Sequence, residues 1–200
     1  MGRLHVTLLL GILNWTSCAP TALRPARAVS EGEVEHVLSF TYPIAPDVPI
    51  PIPAYTLRYG VADSLDLGAS IDGLSTVSVD ATVQVLRRRE VDLALGPQVT
   101  FNMIGLMFAV GPSLSAPVLL DLNLGPAVSL MAIAGPMNVD LGKKDRIWLL
   151  HAAGGLDVRI TEGFSLRPHA GSYTNLSDAR GSSLPYLGLA LGFGGRRDFR

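Results

Sequence analysis

His36, His151 and His169, together with Ser165, Asp157 and the glutamates, are the residues whose types would suit nucleophilic hydrolysis. That chemistry needs a base within hydrogen-bond reach of the hydroxyl and a third group that orients the base. No serine sits in a nucleophile elbow, and His151 and His169 read as polar filling, so the chain is read as non-enzymatic. No two ligand-type residues share a metal-binding spacing, and no metal is expected. Gly188–Gly195 lies within a strand pattern, not at a strand-to-helix turn, which removes a dinucleotide cradle, and no cofactor is expected. A formal net charge of −1 gives no reason for a nucleic-acid partner. The run Arg87–Arg89 reads as a solvated turn, on the side where it can meet inner-leaflet phosphates or a periplasmic partner.

The charged residues that remain stand at alternate positions in apolar segments. Arg58, Asp66, Asp72, Asp80, Asp92, Asp157, Arg159 and Arg167 each face away from valines and leucines. In Thr76–Leu86, for example, Val77, Val79, Ala81, Val83 and Val85 alternate with Ser78, Asp80, Thr82 and Gln84. Side chains alternate faces on a strand, so each such segment has one oily face and one polar or tiny face. Strands are expected near 33–41, 54–61, 65–72, 76–86, 91–100, 117–124, 127–134, 148–160, 164–172 and 184–194. Pro117 and Pro126 make the sixth and seventh the least regular, which leaves eight as an alternative count.

A soluble sandwich alternates too, and three features favour a membrane barrel over it. Many segments are long enough to cross hydrocarbon at a tilt. Their second face is charged and glycine-rich, as a crowded lumen requires. Finally, short connections (62–64, 87–90, 125–126, 161–163) alternate with longer ones (42–53, 101–116, 135–147, 173–183), Gly73–Ser75 excepted; short periplasmic turns facing longer outer loops is the outer-membrane layout. Apolar residues make up 48 % of the chain and charged residues 16 %, and no helix-length apolar run follows residue 18. The expected fold is all-β, a closed antiparallel up-and-down transmembrane barrel of about ten strands. Tyr42, Tyr55, Tyr59, Trp148, Phe164, Tyr186 and Phe193 are candidates for its aromatic girdles.

Met1–Ser17 has the n-, h- and c-regions of an export signal. Cys18, the only cysteine, follows Thr16 and Ser17, and the arrangement resembles the bacterial lipobox, with Trp15 where that family prefers leucine. The expected organisation is a signal peptide over 1–17, a lipidated linker over 18–32 and a barrel over 33–200. The run Leu57–Gly68 resembles the strand–turn–strand unit of bacterial outer-membrane barrels, and the whole layout resembles small barrel lipoproteins. The last strand, Tyr186-x-Gly188-x-x-Leu191-x-Phe193, is similar to their assembly signal but has leucine at an aromatic position. The resemblance implies an outer-membrane location, a palmitate-type anchor at Cys18 with the N-terminus periplasmic, and contact with outer-membrane lipid and the barrel-assembly and lipoprotein-sorting machinery.

Side chains largely fill a barrel of this size, which disfavours a wide pore. The expected role is structural, or docking of an envelope protein through outer loops, with the apolar Met103–Val110 as one surface. A narrow channel or lipophilic-solute carrier is the first alternative, and a lumen- or rim-based hydrolase the second.

Overall fold

An open sheet of such strands would leave two unpaired edges, and ring closure removes both. The computed structural model describes residues 23–44, 51–73, 75–103, 111–140, 146–177 and 182–195. Its strands are β1 (Val34–Pro43), β2 (Ile52–Ala62), β3 (Leu65–Asp72), β4 (Thr76–Arg87), β5 (Val91–Leu95), β6 (Gln98–Asn102), β7 (Ser113–Ser115), β8 (Val118–Asn123), β9 (Val128–Asp140), β10 (Arg146–Thr161), β11 (Phe164–Asn175) and β12 (Ser183–Gly194). All pairings are antiparallel, and β1 meets β12 from Glu35↔Gly194 to Pro43↔Tyr186, which closes the ring. Because β5 and β6 both pair with β4, and β7 and β8 both with β9, the twelve segments make ten staves.

The two split staves break at Gly96-Pro97 and Ala116-Pro117, where proline has no N–H to give the ladder. The chain crosses each gap with carbonyls instead: Ala81 N–H donates to Pro97 O at 3.0 Å, and Gly96 N–H to Pro117 O at 2.8 Å. Part of the expected loop 135–147 is strand, since β9 runs through Pro136 to Asp140 and pairs with β10 on either side of it. The turns at 63–64, 88–90, 124–127 and 162–163 lie at one end of the staves, and the strand ends Pro43, Asp72, Asn102, Asp140 and Asn175 lie at the other.

Valines and leucines point outward: Val79 is 53 % exposed, Leu95 47 % and Leu187 52 %. Among the aromatic residues, Tyr42, Tyr55, Tyr59, Trp148 and Phe193 are exposed on the same outer surface, and Phe164 packs on Phe193 at 5.2 Å between ring centroids. Tyr186 is not a girdle residue. It shares parity with Ala190 and Gly192 on β12, is buried in the lumen, and bonds His151 Nε2 through its hydroxyl at 2.7 Å.

Residues 23–30 form no strand and lie inside the barrel. They belong to the expected 18–32 linker, of which residues 23–32 are described. Leu23 and Ala26 pack on Ala94, Leu119, Met131 and Ile133, a small apolar core inside the lumen, and Met137, Val139, Leu149, Tyr173 and Tyr186 form a second one. The segment leaves through a turn at Gly32, whose φ of 79° suits glycine. Gly32 N–H donates to Gly60 O at 2.9 Å, and the Ser30 carbonyl lies where a Cβ on Gly60 would sit. Cys18, the signal region, residues 104–110 of the expected apolar loop and Arg196, Arg197 and Arg200 fall outside the described residues.

Candidate functional site

The strands bring inward-facing charges into one band, and the internal segment completes it. Arg58 on β2 donates to Asp80 Oδ1 on β4 at 2.8 Å, to Thr82 Oγ1 at 2.8 Å, and pairs with Asp66 on β3. From the internal segment, Arg24 pairs with the same Asp80 and donates to Gly96 O at 2.7 Å. Arg27 Nε donates to Asp92 Oδ2 at 2.9 Å. The wall also receives main-chain donors of the segment: Ala26 N–H meets Asp121 Oδ2 at 2.9 Å, and Val29 N–H meets Asp66 Oδ2 at 2.8 Å. A carboxylate accepting a guanidinium and an amide together makes the stronger, charge-assisted class of hydrogen bond.

The band continues through neutral side chains. Asn123 donates to Asp92 at 2.9 Å, Ser129 to Asn123 at 2.7 Å, and Arg159 Nη2 to Ser129 at 2.9 Å. Arg159 also lies 3.3 Å from Asp157, which accepts from Arg167 Nε at 2.9 Å, and Arg167 pairs with Glu35. The structure thus brings Arg58, Asp66 and Asp80 into one cluster and Asp157, Arg159 and Arg167 into another. Asp92 sits between them, while Asp72 joins neither.

Asp72 is 2 % exposed, and neither of its carboxylate oxygens has a hydrogen-bond partner. The buried hydroxyls of Ser39, Ser70 and Thr76 are unpartnered as well. They belong to one patch of inner wall: Ser39 pairs with Ala54, Ala54 with Asp72, and Asp72 with Thr76, while Ser70 lies two residues along β3.

Among the described residues, Glu35 and Asp157 balance Arg159 and Arg167. On the other side, Asp66, Asp72, Asp80, Asp92 and Asp121 face the single wall arginine Arg58, a surplus of four negative charges. Arg24 and Arg27 offset two of them. The space between Leu23, Arg24, Val37, Thr56, Arg58, Asp80 and Arg167 is about 10 Å³, room for one water.

The histidines do not assemble a hydrolase. His36 faces outward and bonds Tyr55 OH at 2.7 Å. His151 stacks on Tyr173 at 4.6 Å and bonds Tyr186, and His169 Nδ1 lies 3.0 Å from Arg167 O. No described histidine hydrogen-bonds a serine or a carboxylate. No group of three or more potential metal ligands occurs among the described residues.

Arg24, Arg27 and Asp121 were not singled out in the sequence. Asp121 was visible by parity, opposite Leu120 and Leu122. For the internal segment the signal was indirect: Leu119, Met131 and Ile133 are apolar side chains at lumen parity, and they need an apolar partner inside.

Fold and lumen together define a ten-stave barrel of the bacterial outer-membrane type, occupied by a segment of its own chain. No protein-family model and no curated protein matches the sequence. Among solved structures, an outer membrane channel from Pseudomonas putida F1 is similar over 88 % of this chain and 99 % of that one, with 12 % identity and a TM-score of 0.58. The NanC porin is similar over 79 % of this chain and 98 % of the other, with 9 % identity and a TM-score of 0.55. At these identities the likeness is one of fold, and both neighbours are named as a porin or channel, not as enzymes.

Proposed function

We infer that the protein is a narrow outer-membrane channel held shut by residues 23–30, with no enzymatic role. One observation carries this: the lumen is closed by a segment that contributes no strand, held by side-chain hydrogen bonds and ion pairs to the wall. Such a segment can be withdrawn without breaking a single barrel ladder. Export by residues 1–17, lipidation at Cys18 and use of the barrel-assembly and lipoprotein-sorting machinery belong to the same proposal, supported by the lipobox-like sequence.

A structural or docking role through the outer loops is the second reading. It is favoured by the fill itself, since the space beside Arg24, Arg58 and Arg167 has room for one water.

Conductance separates the two. In planar bilayers the wild type is expected to be silent. The full-length Arg24→Gln/Arg27→Gln variant, which keeps its length and loses both ionic anchors, is expected to show discrete cation-selective steps. A folded double variant as silent as the wild type would leave the structural reading in possession.

A further inference from the structure

We propose that the acidic wall of the lumen is a binding site for an extended polycationic peptide, for which residues 23–30 are an incomplete internal stand-in. The inference rests on the internal segment being displaceable, as the channel reading requires, but not on conduction.

The way the wall holds its present occupant identifies the ligand class. Asp80 and Asp92 take guanidinium groups three residues apart in sequence, and Asp66 and Asp121 take main-chain N–H groups between and after them. Alternating charge and amide recognition of this kind suits a peptide in extended conformation; a small free cation would leave the amide acceptors unused.

The occupant does not use the whole site. Asp72 stands on the same wall, buried and without a partner, beside the unpartnered Ser70 and Thr76 hydroxyls. A buried carboxylate with neither cation nor donor is costly unless a ligand supplies one. Asp72 pairs with Thr76, which lies four residues along β4 from Asp80, about 13 Å at roughly 3.3 Å per residue. The internal segment descends from Asp80 toward Asp66, so Asp72 lies beyond its Arg24 end. An extended ligand meeting Asp72 needs a positive group about four residues before the one that meets Asp80. This chain has none to offer: Cys18, Ala19, Pro20, Thr21, Ala22 and Leu23 are all uncharged.

The test uses two labelled synthetic peptides and the full-length protein in detergent, read by fluorescence anisotropy. The first peptide reproduces residues 19–29; the second is identical except for arginine at the position matching Pro20. Hosts are the wild type, the Arg24→Gln/Arg27→Gln variant, and that variant with Asp72→Asn added. The second peptide is expected to bind the double variant about tenfold more tightly than the first, the gain of one buried charge-assisted pair. That advantage should vanish with Asp72→Asn, while the first peptide's affinity holds. Binding to the wild type should be weaker than to the double variant, because the internal segment competes. Equal affinity of the two peptides, or an advantage that survives Asp72→Asn, overturns the assignment of Asp72. Absence of binding to a double variant with an intact β-type circular dichroism spectrum overturns the site, and so does displacement by free arginine amide at the concentration at which the second peptide displaces. Should the double variant fail to fold, Arg27→Gln alone serves as host with the same outcomes. A silent bilayer recording alongside peptide binding would remove the channel reading and leave this one standing.

Discussion

Asp80 accepts from two guanidinium groups at once, Arg24 from the internal segment and Arg58 from β2, whereas Asp72 accepts from none. Both are buried aspartates on adjacent strands, and the difference in their surroundings predicts opposite responses to substitution. Removing one partner of a buried ion pair leaves an uncompensated charge, and Asp80→Ala leaves two arginines short of an acceptor; a loss of about 3–5 kcal/mol is expected. Asp72→Asn removes a charge that has no partner, and is expected to leave stability unchanged or to raise it. Urea unfolding in detergent, followed by tryptophan fluorescence, compares the two directly. Equal losses would show that burial alone, and not pairing, sets the cost at these positions. The lumen's glycines belong to the same accounting of space. A Cβ on Gly68 would lie 2.7–2.8 Å from Arg58 Nη1 and the Asp80 oxygens, so the ion pair occupies the place of a side chain.

Strand by strand, period two was enough to locate ten staves, because inward and outward environments differ so sharply on β1 to β4 and on β10 to β12. On β8 and β9 the pattern blurred. Leu119 and Leu120 are adjacent, as are Met131, Ala132 and Ile133, and both faces of those strands look apolar. The structure supplies the reason: their inner faces pack Leu23 and Ala26, which sequence reading assigned to a linker. Arg58, Asp66 and Asp80 were legible as lumen candidates from parity alone. Arg24 and Arg27 were not, since a segment without periodicity carries no sign of where it lies. The outward face yields its own prediction. Val79 pairs with Val99 and Ala69 well inside the staves, while Val85 lies near the short-turn end of β4. An arginine facing lipid costs about 2–4 kcal/mol near the midplane and about 0–1 near an interface. Val79→Arg should therefore destabilise the barrel by clearly more than Val85→Arg in lipid vesicles titrated with denaturant. Equal penalties would remove the lipid belt from this face.

At the scale of the whole molecule, the turns 63–64, 88–90, 124–127 and 162–163 and the exit of the internal segment share one end of the barrel, and the connections that start from the other end are longer in sequence, Gly73–Ser75 excepted. Membrane barrels place short turns in the periplasm; by that rule the Gly32 turn is expected in the periplasm and the Asp72 patch toward the outer surface. Single cysteines test both the orientation and the seal, in a Cys18→Ser background that removes the native thiol. Ser177→Cys, in the connection between β11 and β12, should react with an impermeant maleimide on intact cells. Arg88→Cys, in an exposed short turn, should react only after the outer membrane is opened. Ala26→Cys has no exposed surface in the closed barrel, beside Leu119 and Met131, and should stay unreacted in both conditions. Adding Arg24→Gln and Arg27→Gln should make that position reactive, because the main-chain bonds to Asp121 and Asp66 no longer have ionic anchors at their side. Labelling of Arg88→Cys on intact cells would invert the orientation. Ready labelling of Ala26→Cys in a barrel with both arginines in place would mean that the segment already leaves the lumen unaided, and that two buried ion pairs do not hold it.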